Sequence, residues 1–121
     1  MAKLKAKKTS PREHDPTALG RGFKQRLKKG DILLGGMVAE YLHPSLAKIY
    51  YHAGFDFIFV DKEHTYFDGG EMTDFALTAR DNGMSVISKV GDLGRAEVAR
   101  LLEAGVVGIQ LPRTETREEL E

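Results

Sequence analysis

The stretch Gly54-Phe55-Asp56-Phe57-Ile58-Phe59-Val60-Asp61-Lys62-Glu63-His64 decides how this chain is read. Phe57, Ile58, Phe59 and Val60 form an apolar run with no polar alternation. A strand of that kind is covered on both faces, as in a parallel sheet. Four ionisable residues follow at once, so the backbone passes from a dry interior to a polar rim within one residue. Parallel strands need crossover connections, normally helices, and the flanking sequence supplies them.

Upstream, Pro44 opens a helical pattern carried by Leu46, Ile49 and Tyr50, which Gly54 ends. Before it, Ile32 to Met37 reads as strand one. Gly35 and Gly36 inside that strand anticipate the close approach of another backbone or a ligand. Gly22 to Lys29 reads as a lead-in helix closed by Gly30. Downstream, Asp68 and Glu71 have capping-box spacing. Met72, Phe75, Ala76 and Ala79 give that helix its apolar stripe, with Gly83 past its end. Val86–Val90 is the expected third strand. Asp92 is a plausible N-cap for a helix striped by Val98, Leu101 and Leu102 and closed by Gly105. Val107, Ile109 and Leu111 suggest strand four. Thr116 and Glu119 repeat the capping-box spacing.

Each strand-plus-helix unit is about 25 residues long, and eight such units make roughly 200 residues, the low end of a (β/α)8 barrel. The sequence therefore predicts an α/β fold: the first half of a (β/α)8 TIM barrel, about four βα units, spanning 21–121. The rival is a small doubly wound sheet of the phospho-receiver kind. Such a domain wants paired acids at the end of strand one, where this chain has Gly35, Gly36 and Met37. A helix that starts at Thr116, a few residues before Glu121, leads us to expect the front part of a longer protein or a truncated form.

Composition narrows the function. The chain has 121 residues, 41% of them hydrophobic, which suits a globular domain and not wholesale disorder. Eighteen basic and eighteen acidic residues balance, against a general nucleic-acid binder. With no cysteine, disulfides, thiolate zinc sites and cysteine nucleophiles are excluded. No apolar run is long enough for a membrane span, and no apolar h-region marks a secretory signal, so a cytoplasmic location without membrane partners is expected. Residues 1–20 hold five basic side chains, two acidic ones and two prolines. They read as a flexible basic tail. Without aromatics between the lysines, a solubilising role is favoured over a nucleic-acid arm.

A barrel of this type carries its active site at the C-terminal strand ends. Strand one leads to Glu40, strand two to Asp61, Lys62, Glu63 and His64, strand three to Lys89, and strand four to Gln110, Pro112 and Arg113. Strand two stands out, because a histidine beside carboxylates trades protons near neutral pH. The plainer alternative is a solvated loop whose acids pair with Lys62. His14, His43 and His52 fit tail, helix-start and helix-end positions. Gly20-Arg21-Gly22 lacks the rest of a phosphate-binding fingerprint.

Gly-Phe-Asp, a hydrophobic strand and then Asp-x-Glu-His resembles the signature of the metal-dependent hydroxy-oxo-acid aldolase/citrate lyase family, which includes 2,4-dihydroxyhept-2-ene-1,7-dioate aldolase. Phe23–Gly30, Leu101-Leu102-Glu103-Ala104-Gly105 and Gly108-Ile109-Gln110-Leu111-Pro112 add to the likeness. The resemblance implies a homo-oligomeric (β/α)8 lyase that cleaves 4-hydroxy-2-oxo acids to pyruvate and an aldehyde. It implies a divalent metal, Mg2+, Mn2+ or Co2+, as Lewis acid. His64 takes the acid/base position, and Glu103 the position of a carboxylate that supports this histidine from a neighbouring subunit. Lys89 stands where the family usually has an arginine for the substrate carboxylate; lysine keeps the charge and loses the bidentate fork. The family's metal ligands come from strands five and six, beyond this sequence, so the 121 residues alone are expected to be inactive. A non-catalytic half barrel, acting only in binding or assembly, is the alternative.

Overall fold

The computed structural model describes residues 17–120. Residues 1–16, most of the expected tail, lie outside the described residues. In chain order the elements are α1 (Ala18–Lys29), β1 (Gly35–Val38), α2 (Pro44–His52), β2 (Phe57–Asp61), α3 (Gly69–Asp81), β3 (Ser85–Lys89), α4 (Arg95–Ala104) and β4 (Gly108–Gln110), followed by a short 3-10 turn at Glu118–Leu120. The four strands are all parallel and pair in sequence order, β1-β2-β3-β4.

That order separates the two candidate architectures. A doubly wound sheet reverses direction at a switch point and carries helices on both faces. Here the order never reverses. Helices α2, α3 and α4 pack side by side, and their buried residues join Ile58, Val60 and Val86 in one core. The sheet is thus one arc of a (β/α)8 barrel. Val60, Phe75 and Ala79 are wholly buried in that core and Met72 nearly so. Truncating Phe75 to alanine there costs about 3–5 kcal/mol.

The other face of the sheet has thinner cover. Phe57, Phe59, Ile87 and Lys89 are half-buried, and Met37 is 58% exposed. The register sets Met37, Phe59, Ile87 and Gly108 in one row across the four strands, with Asp61, Lys89 and Gln110 in the row nearest the C-terminal ends. The apolar run of β2 is therefore covered fully on its helix side only.

Both glycines of β1 are required by close approach, though of aromatic rings and not of backbone or ligand. A Cβ on Gly36 would lie 2.6 Å from Cδ1 of Tyr50, on α2. One on Gly35 would lie 2.6 Å from Cε1 of Phe57, on the opposite face. Two adjacent rows of the sheet thus seat a ring on one face and a ring on the other against the same dipeptide.

Several local expectations shift. Strand one is shorter than Ile32–Met37: Ile32 is 95% exposed and Leu34 56%, and pairing begins at Gly35. β3 runs Ser85–Lys89, one residue earlier than expected, and β4 covers only Gly108–Gln110. The lead-in helix starts at Ala18, inside the span assigned to the tail, and ends at Gly30 with φ 82°, as a left-handed glycine cap requires. Asp92 does not cap α4 directly. Its carboxylate accepts the Gly94 N–H at 2.6 Å, and the helix starts after Gly94. The Asp68/Glu71 box forms in full. Of the later box only the Glu119 half forms, with its carboxylate accepting the N–H groups of Glu115 and Thr116.

Helix α1 lies across the N-terminal ends of the strands. Phe23 meets the Phe57 ring edge-on at 5.5 Å, and Gly20 approaches Val107 just before β4. Asp56 ties this end together. It accepts from Arg26 at 2.6 Å and from the Leu34 N–H at 2.8 Å. The Leu34 N–H and the Arg26 guanidinium hold its carboxyl below the ordinary carboxylate range. The opposite end of the sheet is left open for chemistry.

Candidate active site at the C-terminal strand ends

β2 ends at Asp61, whose carboxylate folds the following residues back on themselves. Oδ1 accepts the N–H groups of Glu63 (2.9 Å) and His64 (3.1 Å), and the Thr65 hydroxyl donates to the Asp61 carbonyl at 2.6 Å. This tight turn brings His64 Nδ1 to 2.9 Å from Asp61 Oδ2. Burial pushes the Asp61 carboxyl up. The His64 ring and the backbone donors outweigh it, and the net direction is below the ordinary value. An ionised Asp61 is an acceptor only, so His64 Nδ1 is the donor in this contact, and in the neutral ring the lone pair then lies on Nε2. Nε2 makes no hydrogen bond among the described residues. It stands 3.8 Å from Glu63 Oε2, and the ring is 61% exposed.

Glu63 is the second organising group. Its side chain is only 8% exposed, yet it sits among three basic residues. Oε2 pairs with Lys89 Nζ, and Oε1 lies 3.2 Å from Arg113 Nε. The Lys89 hydrogen bond lowers its pKa most; burial opposes, and the charges of Lys89, His64 and Arg113 add to the lowering. Arg113 reaches this position from the loop after β4 with a backbone φ of 45°, the one non-glycine positive φ among the described residues. A long side chain in the left-handed region is uncommon and collects at functional sites.

The strand ends of β2, β3 and β4 thus converge on one cluster. Glu63 takes Lys89, while Asp61, the lysine's register partner on β2, turns to His64. The alternative of loop acids neutralised by Lys62 does not hold, because Lys62 pairs instead with Glu97 on α4 at 2.7 Å. Glu103 is not brought to this cluster. It is exposed near the C-terminal end of α4, the end that leads into the start of β4, at the opposite edge of the sheet from His64.

Sequence reasoning missed how Asp61, Glu63 and Arg113 are used. The three-residue spacing of Asp61 and His64 was the available signal for the first. Nothing local to Arg113 announces its reach to Glu63.

No family model and no curated protein matches the chain. Solved structures do. The HpcH/HpaI aldolase from Desulfitobacterium hafniense DCB-2 is 31% identical, with a TM-score of 0.75 over 80% of this chain and 38% of that one. The chain belongs to the HpcH/HpaI aldolase family. Macrophomate synthase is 27% identical, with a TM-score of 0.67 over 84% of this chain and 35% of its own. Citrate synthase SbnG, at 24% identity and a TM-score of 0.73 over 81% of this chain and 40% of its own, shares the fold. The chain therefore spans between 35% and 40% of the length of these three HpcH/HpaI-type structures.

A divalent metal does not fit this part of the HpcH/HpaI framework. A hard cation needs several oxygen donors free to face it. Asp61 is committed to His64, and Glu63 to Lys89 and Arg113. Among the described residues no three histidine or carboxylate side chains are placed to hold an ion. Nor is any described helix long and apolar enough to cross a membrane.

Proposed function

We propose that this chain supplies the acid/base and carboxylate-binding part of a lyase that cleaves 4-hydroxy-2-oxo acids to pyruvate and an aldehyde. The observation that carries this reading is the Asp61-oriented His64 beside a Lys89–Glu63–Arg113 cluster, at the strand ends of a barrel arc.

The proton chemistry follows from the dyad. Nε2 of His64 takes the proton of the C4 hydroxyl. The C3–C4 bond breaks, the C4–O bond becomes the aldehyde carbonyl, and the electron pair of the broken bond stays on C3 as the enolate of pyruvate. A proton returned to C3 completes pyruvate. Asp61 stabilises the imidazolium in between. Lys89 holds the substrate carboxylate, and Glu63 holds that lysine in place. Glu103, too far round the fold to serve its own His64, is assigned to the His64 of a neighbouring copy. Under this reading the divalent ion of the family has its donors outside residues 17–120 and, when bound, would supply Lewis-acid stabilisation of the enolate.

The test is pyruvate release from a 4-hydroxy-2-oxo acid, followed by coupled reduction with lactate dehydrogenase. With the reading frame carried on to the length of a whole barrel, turnover is expected, and the 121 residues alone give none. His64→Ala in the barrel-length protein should lose roughly 10²-fold or more, the scale of an acid/base group. Wild-type turnover in that variant refutes the assignment.

A further inference from the structure

Beside His64, on the side away from Lys89 and Arg113, lies a cleft of about 470 Å³ between the loop after β1 and the loop after β2. Of the cluster around Glu63, only His64 lines it. Tyr41, Leu42, Tyr66 and Phe67 form its walls. Tyr66 is fully exposed and Tyr41 is 64% exposed, so two aromatic rings border it with faces still in water. Its charged residues besides His64 are Glu40 and Glu71, and no lysine or arginine lines it.

We propose that this cleft is the subsite for the aldehyde-derived end of the substrate, and that it selects an uncharged apolar or aryl group over an anionic one. The inference rests on the lyase reading. If His64 takes the proton from the C4 hydroxyl, C4 lies within reach of Nε2. The carboxylate end is then drawn toward Lys89, and the group carried on C4 must leave the histidine on its other side. The space there is this cleft. Its aromatic walls reward burial of a flat apolar group. A second carboxylate would meet Glu40 and Glu71 with no cation to pair it, which excludes it by repulsion. The protein thus reads the two ends of its substrate by opposite chemistry, with cations for the oxo-acid end and aromatics with acids for the other.

Amide-resolved NMR titration of the barrel-length protein tests this. Benzyl alcohol serves as the unreactive neutral aryl probe, 4-hydroxybutyrate as the anionic one, and pyruvate as the oxo-acid probe. Benzyl alcohol should give saturable shifts confined to Glu40–Leu42 and His64–Phe67, and 4-hydroxybutyrate none there. Tyr66→Ala, at a position too exposed to carry the fold, should weaken benzyl alcohol about five- to tenfold and leave pyruvate shifts near Lys89 unchanged. Glu40→Lys should admit 4-hydroxybutyrate. Shifts by benzyl alcohol scattered over the surface, equal binding of the two alcohols, or indifference to Tyr66→Ala overturns the subsite while pyruvate binding still upholds the lyase reading. Pyruvate shifts absent near Lys89 overturn the lyase reading instead, and with it the assignment of the cleft to substrate.

Discussion

Gly36→Ala tests the packing that fixes β1, and with it the loop that forms one wall of the cleft. The new Cβ would stand 2.6 Å from Cδ1 and 3.0 Å from Cζ of Tyr50, with Cε1 between them closer still. Carbon atoms settle at about 3.5–4.0 Å, so the ring must retreat by roughly 1–2 Å. It has little freedom to do so. Tyr50 is half-buried, packs edge-on against Phe55 at 4.9 Å, and directs its hydroxyl at the Met37 carbonyl from 3.4 Å. Overpacking of this kind costs about 1–3 kcal/mol, and loosening the aromatic pair adds about 0.5–1.5 kcal/mol. The stiffer unfolded chain returns about 0.4–1 kcal/mol. The net expectation is destabilisation by about 2 kcal/mol, read from urea unfolding midpoints at constant slope. The mechanism makes a sharper demand. In a Tyr50→Ala background the ring is gone, so adding Gly36→Ala should cost little or nothing, a coupling about as large as the single-mutant effect. A Gly36→Ala protein within 0.5 kcal/mol of wild type, taking ~0.5 kcal/mol as the limit for changes that touch nothing, would refute the reasoning. So would the same cost in both backgrounds.

Asp61 is held below its ordinary carboxylate value, so it stabilises the fold above the unfolded value of about 3.9 and loses that contribution as pH falls through its folded value. Asp61→Asn should therefore show a smaller drop in Tm than wild type between about pH 6 and pH 3; equal drops would show that the carboxylate is not stabilised by folding. Under the proposed function Lys89, paired with Glu63, binds the substrate carboxylate and forms no Schiff base: borohydride in the presence of pyruvate should leave its mass unchanged, and a trapped adduct on Lys89 would move the protein to the Schiff-base aldolases. The 121-residue chain should self-associate at micromolar concentration, because β1 and β4 each have one unpaired edge among the described residues and Met37 is 58% exposed on the thinly covered face. Sedimentation of a stable monomer would contradict that.

What the sequence disclosed was whatever is written locally. The run Phe57–Val60 announced a parallel strand, and the glycines at 30, 54, 83 and 105 marked helix ends; all four adopt positive φ. The capping box at Asp68 and Glu71 formed as spaced. Ile32–Leu34 misled because apolar side chains were read as a strand, whereas β2 meets this segment only at Leu34, whose carbonyl accepts the Asp56 and Phe57 N–H groups. The site was half legible for the same reason. Asp61, Glu63 and His64 stand within four residues, so their proximity was visible. Which acid meets Lys89, and that Arg113 completes the group, depends on register between β2 and β3 and on one left-handed residue after β4. Those are long-range facts, carried by no single segment.

The position of α1 imposes an order on the birth of this protein. Its contacts include Phe57, Asp56, β3 and the approach to Val107, up to 87 residues further along the chain, and it contains no fully buried residue of its own. A twelve-residue helix without such cover is marginal in water. On the ribosome, α1 emerges before the four described strands and must therefore wait until the strand starts exist before it has anywhere to dock. Made before the four strands of this arc, α1 is fastened after them, and its docking reports that they have been laid down.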